Sequence, residues 1–207
     1  MVNDGNHMQL IESIRELSLE EIRDIYTRYL YYDFPFDERK PLDRIEKSMR
    51  DGQYLCLGAW NKDGIFLAYA FFVVIGKNVL LDYYAVVPEY RGTGIGTSFL
   101  PLAASKTNAD CLIIEIEDPD SANDPEESST RLKRRDFYLR AGCILSDVRA
   151  HAFGVDYLLL EYHLGKTHSS GEIAENYLGI YRTILPHDMY EANLSVDPTY
   201  LMEDAHE

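Results

Sequence analysis

"VVPEYRGTGIGTSF", residues 86–99, sets a glycine-rich turn between two apolar segments. The residues before it, "VLLDYYAVV" (79–87), are β-branched and aromatic and read as a strand, while residues 94–107 read as a helix. A strand, a tight glycine loop and a helix start form an arrangement that holds anions. The first-turn N–H groups have no partner inside the helix, they sit at the positive end of its dipole, and glycines let a phosphate reach the backbone. Gly92, Gly94 and Gly96 alternate with Thr93 and Ile95. That spacing is neither the Gly-x-Gly-x-x-Gly of a dinucleotide site nor a P-loop, which would need Gly-Lys-Ser/Thr next. A plain turn between strand and helix is the bland alternative.

Outward from this loop the chain reads as ααβββαβαββ. Ser18 and Glu21 have capping-box spacing and open a first helix, with Leu17 placed to staple onto Ile22; Pro41 suits the first position of a second helix carrying Leu42, Ile45 and Met49. "YLCLGAW" (54–60), "IFLAYAFFVVI" (65–75) and "VLLDYYAVV" are three antiparallel strands parted by turn residues. "CLIIEIE" (111–117) is the next strand, residues 130–141 a helix, and residues 143–153 and 155–164 two closing strands. This mixture predicts an α/β fold, a mostly antiparallel central sheet with helices on both faces. The acidic "EDPDSANDPEESS" (117–129) reads as a mobile loop. Pro101 falls inside the helix after the glycines and predicts a kink or a short first segment there. Residues 1–10 are expected to be disordered. From residue 166 a helical extension follows, in which Ser169 and Glu172 again have capping-box spacing and Ile173, Tyr177, Ile180 and Ile184 recur at helical intervals until Pro186. That stripe needs a surface: its own sheet, a substrate pocket or a second copy of the chain in a homodimer.

Composition narrows the partners. A chain of 207 residues, 46% of them hydrophobic, can bury one sizeable core. A formal net charge of −15 repels phosphate backbones and anionic membranes, so nucleic acid and membrane surfaces are excluded in favour of neutral or cationic partners. Cys56, Cys111 and Cys143 are odd in number, widely spaced and set in apolar segments, which predicts core thiols in a reducing, cytoplasmic setting. No apolar run is long enough to span a bilayer, and "MVNDGNHM" is unlike a signal peptide. His151 and His163 lie in strand patterns, nothing has metal-ligand spacing, and no metal is expected.

The pattern Val-x-Pro-x-x-Arg-Gly-x-Gly-Ile-Gly over Val86–Gly96 resembles the acetyl-CoA loop of the GNAT superfamily of N-acetyltransferases. "RRDFYLRAGC" (134–143) is similar to that superfamily's later motif, a helix bearing Phe-Tyr and ending at Gly-Phe. "LDYYAV" (81–86), the segment Glu115–Pro119 and "FGVDY" (153–157) resemble most closely a group of bacterial members with no defined substrate. The sequence departs from the pattern where Cys143 replaces the usual Phe and where Thr130 and Arg131 stand in place of an asparagine that often contacts coenzyme A.

The resemblance implies a GNAT domain over residues 11–165, the extension over 166–207, and acetyl-CoA as cosubstrate. It implies that the backbone near Val86 and Val87 pairs with the pantetheine arm, that amides of Arg91, Gly92, Thr93, Gly94, Ile95, Gly96 and Thr97 hold the pyrophosphate, and that Tyr138 protonates the departing thiolate. "RLKRR" (131–135) is an exposed basic helix face or an aid to the 3′-phosphate. Direct transfer to an amine needs a base, for which Asp82, Glu115 and Glu117 are candidates, the last two alternating onto one side of a strand. Strand-end solvation of these acids and a water relay both stay open. The acceptor is a small-molecule or protein amine, and the acidic loop favours a cationic one. An acyl-CoA-binding module without turnover is the competing class.

Overall fold

A computed structural model describes residues 10–201. The expectation of disorder over 1–10 therefore lies, Leu10 aside, outside the described residues. The described chain opens on a strand where two helices were expected first. β1 (Ser13–Glu16) runs antiparallel to β2 (Tyr54–Trp60), with Ser13 opposite Trp60 and Glu16 opposite Leu57. "SIRE" holds one apolar residue and no alternation, so this edge strand is held by backbone pairing that composition does not announce.

Ser18 then caps α1 (Leu19–Ile25) in a complete capping box with Glu21. The helical path continues through a π-helical turn, Tyr26–Leu30, into α2 (Tyr31–Asp33). Pro41 is extended at ψ 138° and stands one place before α3 (Leu42–Arg50), as its cap and not its first residue. β3 (Phe66–Ile75) pairs antiparallel with β2, and Leu67, Tyr69, Phe71 and Phe72 are all buried along it. Successive buried residues mean both faces are covered, which is why this strand reads as an unbroken apolar run.

The eight strands form one sheet in the order β1-β2-β3-β4-β5-β7-β6-β8. The chain divides into two compact units, one of residues up to Val74 with Asp82–Thr107, the other of Ile75–Leu81 with Asn108 onward. β4 (Asn78–Val86) contributes to both. In the first unit it leads to α4 (Ile95–Ala104), which runs unbroken through Pro101. The helix is therefore not cut short at the proline: Phe99, Leu100, Ala103 and Ala104 are buried on either side of it, and that packing holds the last turn against one missing hydrogen bond.

In the second unit, β5 (Cys111–Glu117) pairs parallel with the start of β4, from Asn78 opposite Cys111 to Leu81 opposite Ile114. β7 (Val155–Tyr162) lies antiparallel between β5 and β6 (Cys143–Ala152). Between β5 and β6 comes α5 (Pro125–Arg140), which begins five residues earlier than the expected helix. Asp124 accepts from the amides of Glu126 and Glu127 at 2.9 Å, Pro125 takes the first helical position, and the two glutamates face the positive end of the dipole. Residues 125–129 of the expected loop are thus a helix start.

The tail is more than helical. Ser169 caps α6 (Ser170–Ile184) in a second complete capping box, α7 (His187–Asn193) follows Pro186, and β8 (Leu194–Val196) adds to β6 with Ala150 opposite Val196. Ile173, Ala174, Tyr177, Leu178, Ile180 and Tyr181 are buried, and α6 packs on β5, β6 and β8 of its own chain. Each such large side chain contributes about 1.5–3 kcal/mol on burial. The stripe's surface is therefore its own sheet.

Candidate active site

The glycine loop lies in the first unit. Gly92 and Gly94 take the left-handed conformation at φ +75° and +85°, which a residue with a Cβ adopts only under strain. Gly94 is the N-cap of α4 and offers no side-chain acceptor, so the first turn of this helix is not capped by its own N-cap residue. A Cβ at Gly92 would meet nothing within 4 Å, so the space in that direction from Gly92 is open. Thr93 Oγ1 donates to the Tyr90 carbonyl at 2.6 Å and the Tyr84 hydroxyl to the Gly96 carbonyl at 2.5 Å, fixing the loop from both ends. Ile95 is fully buried and anchors the helix start, while Gly96 and Thr97 remain partly accessible. The arrangement presents backbone N–H groups and dipole charge to an anion.

The Arg91 side chain turns back onto its own unit. Its Nε donates to the Val86 carbonyl at 2.9 Å and its Nη2 pairs with Asp33, which also accepts from the Tyr69 hydroxyl at 2.9 Å. Burial, then Asp33, pushes the Tyr69 phenol well up. The Val87 N–H donates to the Leu67 carbonyl at 2.9 Å. Two backbone groups assigned by resemblance to the pantetheine arm, the Val86 carbonyl and the Val87 amide, thus already have partners within the chain. Asp82 is held by Lys40 and by the Tyr54 hydroxyl. Burial, followed by Asp82, pushes the Tyr54 phenol far above its ordinary value.

The other candidates lie in the second unit. Glu115 accepts from the Tyr177 hydroxyl at 2.5 Å and from the Tyr181 hydroxyl at 2.9 and 3.1 Å. Glu117, two residues along the same side of β5, pairs with Arg134 at 2.6 Å and Arg131 at 3.3 Å. The two carboxylates therefore face different partners, phenols for one and guanidiniums for the other. Tyr138 is buried on α5 with its ring edge-on to Phe137, centroids 5.1 Å apart. Burial pushes its phenol well up and Arg134 pulls it partly back, so the hydroxyl carries its proton at neutral pH.

Residues that sequence reasoning missed are the ones that hold the candidates: Asp33 on Arg91, Lys40 and Tyr54 on Asp82, Tyr177 and Tyr181 on Glu115. The tyrosines at 177 and 181 carry the one available signal, a one-turn spacing inside an apolar stripe. "RLKRR" is not a uniform exposed face. Arg131 is buried, donating to the Asp118 carbonyl at 2.7 Å, Ser121 Oγ at 3.1 Å and Glu127 at 2.6 Å. Asp118 is buried too and pairs with Arg149. Glu117, Asp118 and Glu127 of the acidic segment are thus paired with arginines from outside it, and the segment forms a turn and a helix start.

Among the described residues no helix is long and apolar enough to cross a membrane. No curated protein matches the sequence. Solved structures do. A candidate acetyltransferase of the GNAT family from Bacteroides thetaiotaomicron superposes with a TM-score of 0.63 at 17% identity, over 83% of this chain and 95% of the other. A dodecameric spermidine N-acetyltransferase from Vibrio cholerae gives 0.53 at 12%, over 74% and 92%. The ribosomal-protein-S18-alanine N-acetyltransferase of Escherichia coli gives 0.51 at 16%, over 75% and 97%. At such identities the likeness is one of fold. The sequence profile described as the acetyltransferase (GNAT) family matches residues 19–122, half of the chain, taking in the glycine loop. The chain belongs to the GNAT family of acetyltransferases.

Proposed function

We propose that the protein transfers the acetyl group of acetyl-CoA to an amine by direct attack within a ternary complex. The observation that carries this reading is the start of α4: Gly94 caps it in a left-handed conformation without a side-chain acceptor, behind a Gly92 whose Cβ direction is open. Amides from Arg91 to Thr97 hold the pyrophosphate of the cosubstrate in this account. The amine nitrogen attacks the thioester carbonyl carbon, a C–N bond forms, and the C–S bond breaks with its electron pair going to sulfur. Tyr138 donates its phenolic proton to that thiolate, a role its burial supports by keeping it protonated. The proton lost by the amine goes to a carboxylate or a water. Asp82, Glu115 and Glu117 are the candidates, and Asp82→Asn, Glu115→Gln and Glu117→Gln tested singly identify the base as the variant that alters the acid limb of the pH–rate profile.

The acceptor class follows from charge. A net charge of −15 draws cationic amines, and the spermidine and protein α-amine acceptors of two fold neighbours are of that kind. Because Glu117 and Asp118 are neutralised by Arg131, Arg134 and Arg149, this preference rests on the whole surface more than on the acidic segment.

The pairing of Asp82 and Glu117 with cations favours one rival, a module that binds acyl-CoA without turnover. Calorimetric titration with acetyl-CoA, CoA and ADP, followed by thiol release against polyamines, peptide α-amines and neutral amines, separates the two. Binding with turnover on a cationic amine is the expected result. Binding without turnover on any amine would establish the rival, and turnover confined to neutral amines would overturn the acceptor assignment.

A further inference from the structure

Cys111, Glu161 and His168 meet in the second unit on the face of the sheet that α6 covers. One ligand atom from each, the Cys111 thiol sulfur, a Glu161 carboxylate oxygen and a His168 ring nitrogen, lies within 4.8 Å of the others, and neither Cys111 nor Glu161 is accessible. Glu161 and His168 side chains are only 3% and 5% exposed. His168 Nδ1 is 2.5 Å from Glu161 Oε1, and the His168 backbone N–H donates to Glu161 Oε2 at 3.2 Å. The register explains the meeting. Glu161 on β7 stands opposite Ile113 on β5, so its side chain shares a face with Cys111 two residues earlier on β5, and His168 arrives from the segment leading into the α6 cap.

We propose that these three side chains bind a divalent transition metal of borderline softness, zinc being the type. A soft thiolate, an imidazole and a carboxylate are the donors such an ion takes, and three protein donors leave a position for water. Glu161 is buried beside the His168 ring in a chain of net charge −15, a setting in which a bound cation adds favourable charge. The ion would take the place of the His168–Glu161 hydrogen bond and add the Cys111 sulfur, which now has Asn176 as its hydrogen-bond partner. Cys111 lies far along the chain from Glu161 and His168, which are seven residues apart, so the three show no metal-ligand spacing in the sequence; folding makes the site. Bound metal would tie the start of the tail to β5 and β7, independently of acetyl transfer.

Cobalt(II) titrated into chelator-treated full-length protein reads the site through its thiolate-to-metal absorption band. The band should appear stoichiometrically, be displaced by zinc, vanish in Cys111→Ser and persist in Cys56→Ser and Cys143→Ser. His168→Asn should weaken cobalt by at least about tenfold. No band, or a band that survives Cys111→Ser, overturns the proposal and leaves a His168–Glu161 hydrogen bond. Should Cys111→Ser fail to fold, X-ray absorption at the zinc edge of the wild-type protein decides the matter: sulfur in the ligand shell supports the site, and a shell of nitrogen and oxygen alone refutes it.

Discussion

Gly92 and Gly64 form a matched pair that separates the structural from the binding role of the glycine loop. Both have φ +75°, and a Cβ at either meets nothing within 4 Å. Neither substitution by alanine can clash, so the stability cost in each case is backbone strain alone. A left-handed alanine costs roughly 1–2 kcal/mol, and the stiffer unfolded chain returns about half to one of those. The net is about 1 kcal/mol, a fall in Tm of about 2–4 °C for a chain of this length. Gly64→Ala and Gly92→Ala should therefore lose the same stability. Only Gly92→Ala should lose affinity for CoA, because its methyl group stands in the space a phosphate would enter. One lost backbone bond to a charged oxygen is worth about 1.5–3 kcal/mol, or about tenfold and upward in Kd. The assay is calorimetric titration with CoA beside thermal melts of both variants. If the two variants bind CoA equally well, or Gly92→Ala binds as the wild type does, the loop is a turn and not a phosphate cradle.

Three further outcomes are expected. A Cβ at Gly58 would lie 2.5 Å from Trp60 Cη2 and 2.9 Å from Leu17 Cδ2, so Gly58→Ala should cost about 1–3 kcal/mol by chemical denaturation, and an unchanged midpoint would show that the indole swings aside freely. Ser169→Ala removes the α6 cap and should cost about 1 kcal/mol, measured in the same way; no loss would mean the capping box contributes nothing to holding the tail. The hydrogen bond from Arg15 holds Glu21 at about 2, below the 4.5 of an ordinary glutamate. Since the folded value is the lower, the pair's stabilisation is present above the ordinary glutamate value and is lost as pH falls through the range between the two. Arg15 and Glu21 are exposed enough for solvent to limit this to under about 1 kcal/mol, and Glu21→Gln should narrow the stability difference between about pH 6 and about pH 2.5. An unchanged difference would remove Arg15–Glu21 from the acid response.

Strands β2 to β7 were legible because their residues alternate or run apolar against turn residues, and both capping boxes were legible because their spacing is local. β1 and β8 were not: "SIRE" and "LSV" are short and lie at the sheet's edges, joined to it by pairing across 41 residues or more of chain. The early start of α5 was there to be read in Asp124, Pro125 and the two glutamates, but the acidic composition of the segment obscured it. In the candidate site, the glycines and Tyr138 are visible as motif positions. The charges that hold the acids are not, since Lys40 reaches Asp82 and Tyr177 reaches Glu115 only after the sheet has formed. The same holds for Cys111, Glu161 and His168.

The central claim is that this chain moves an acetyl group and that Tyr138 supplies the proton to the leaving thiolate. Thiol release from acetyl-CoA with a cationic amine, compared between wild type and Tyr138→Phe over a range of pH, tests it most directly. The account predicts turnover in the wild type and a kcat about a hundredfold lower in the variant, with CoA affinity unchanged, since general-acid assistance is worth about 10²–10⁴ in rate. Equal kcat values in the two proteins, or no thiol release from either, would contradict it.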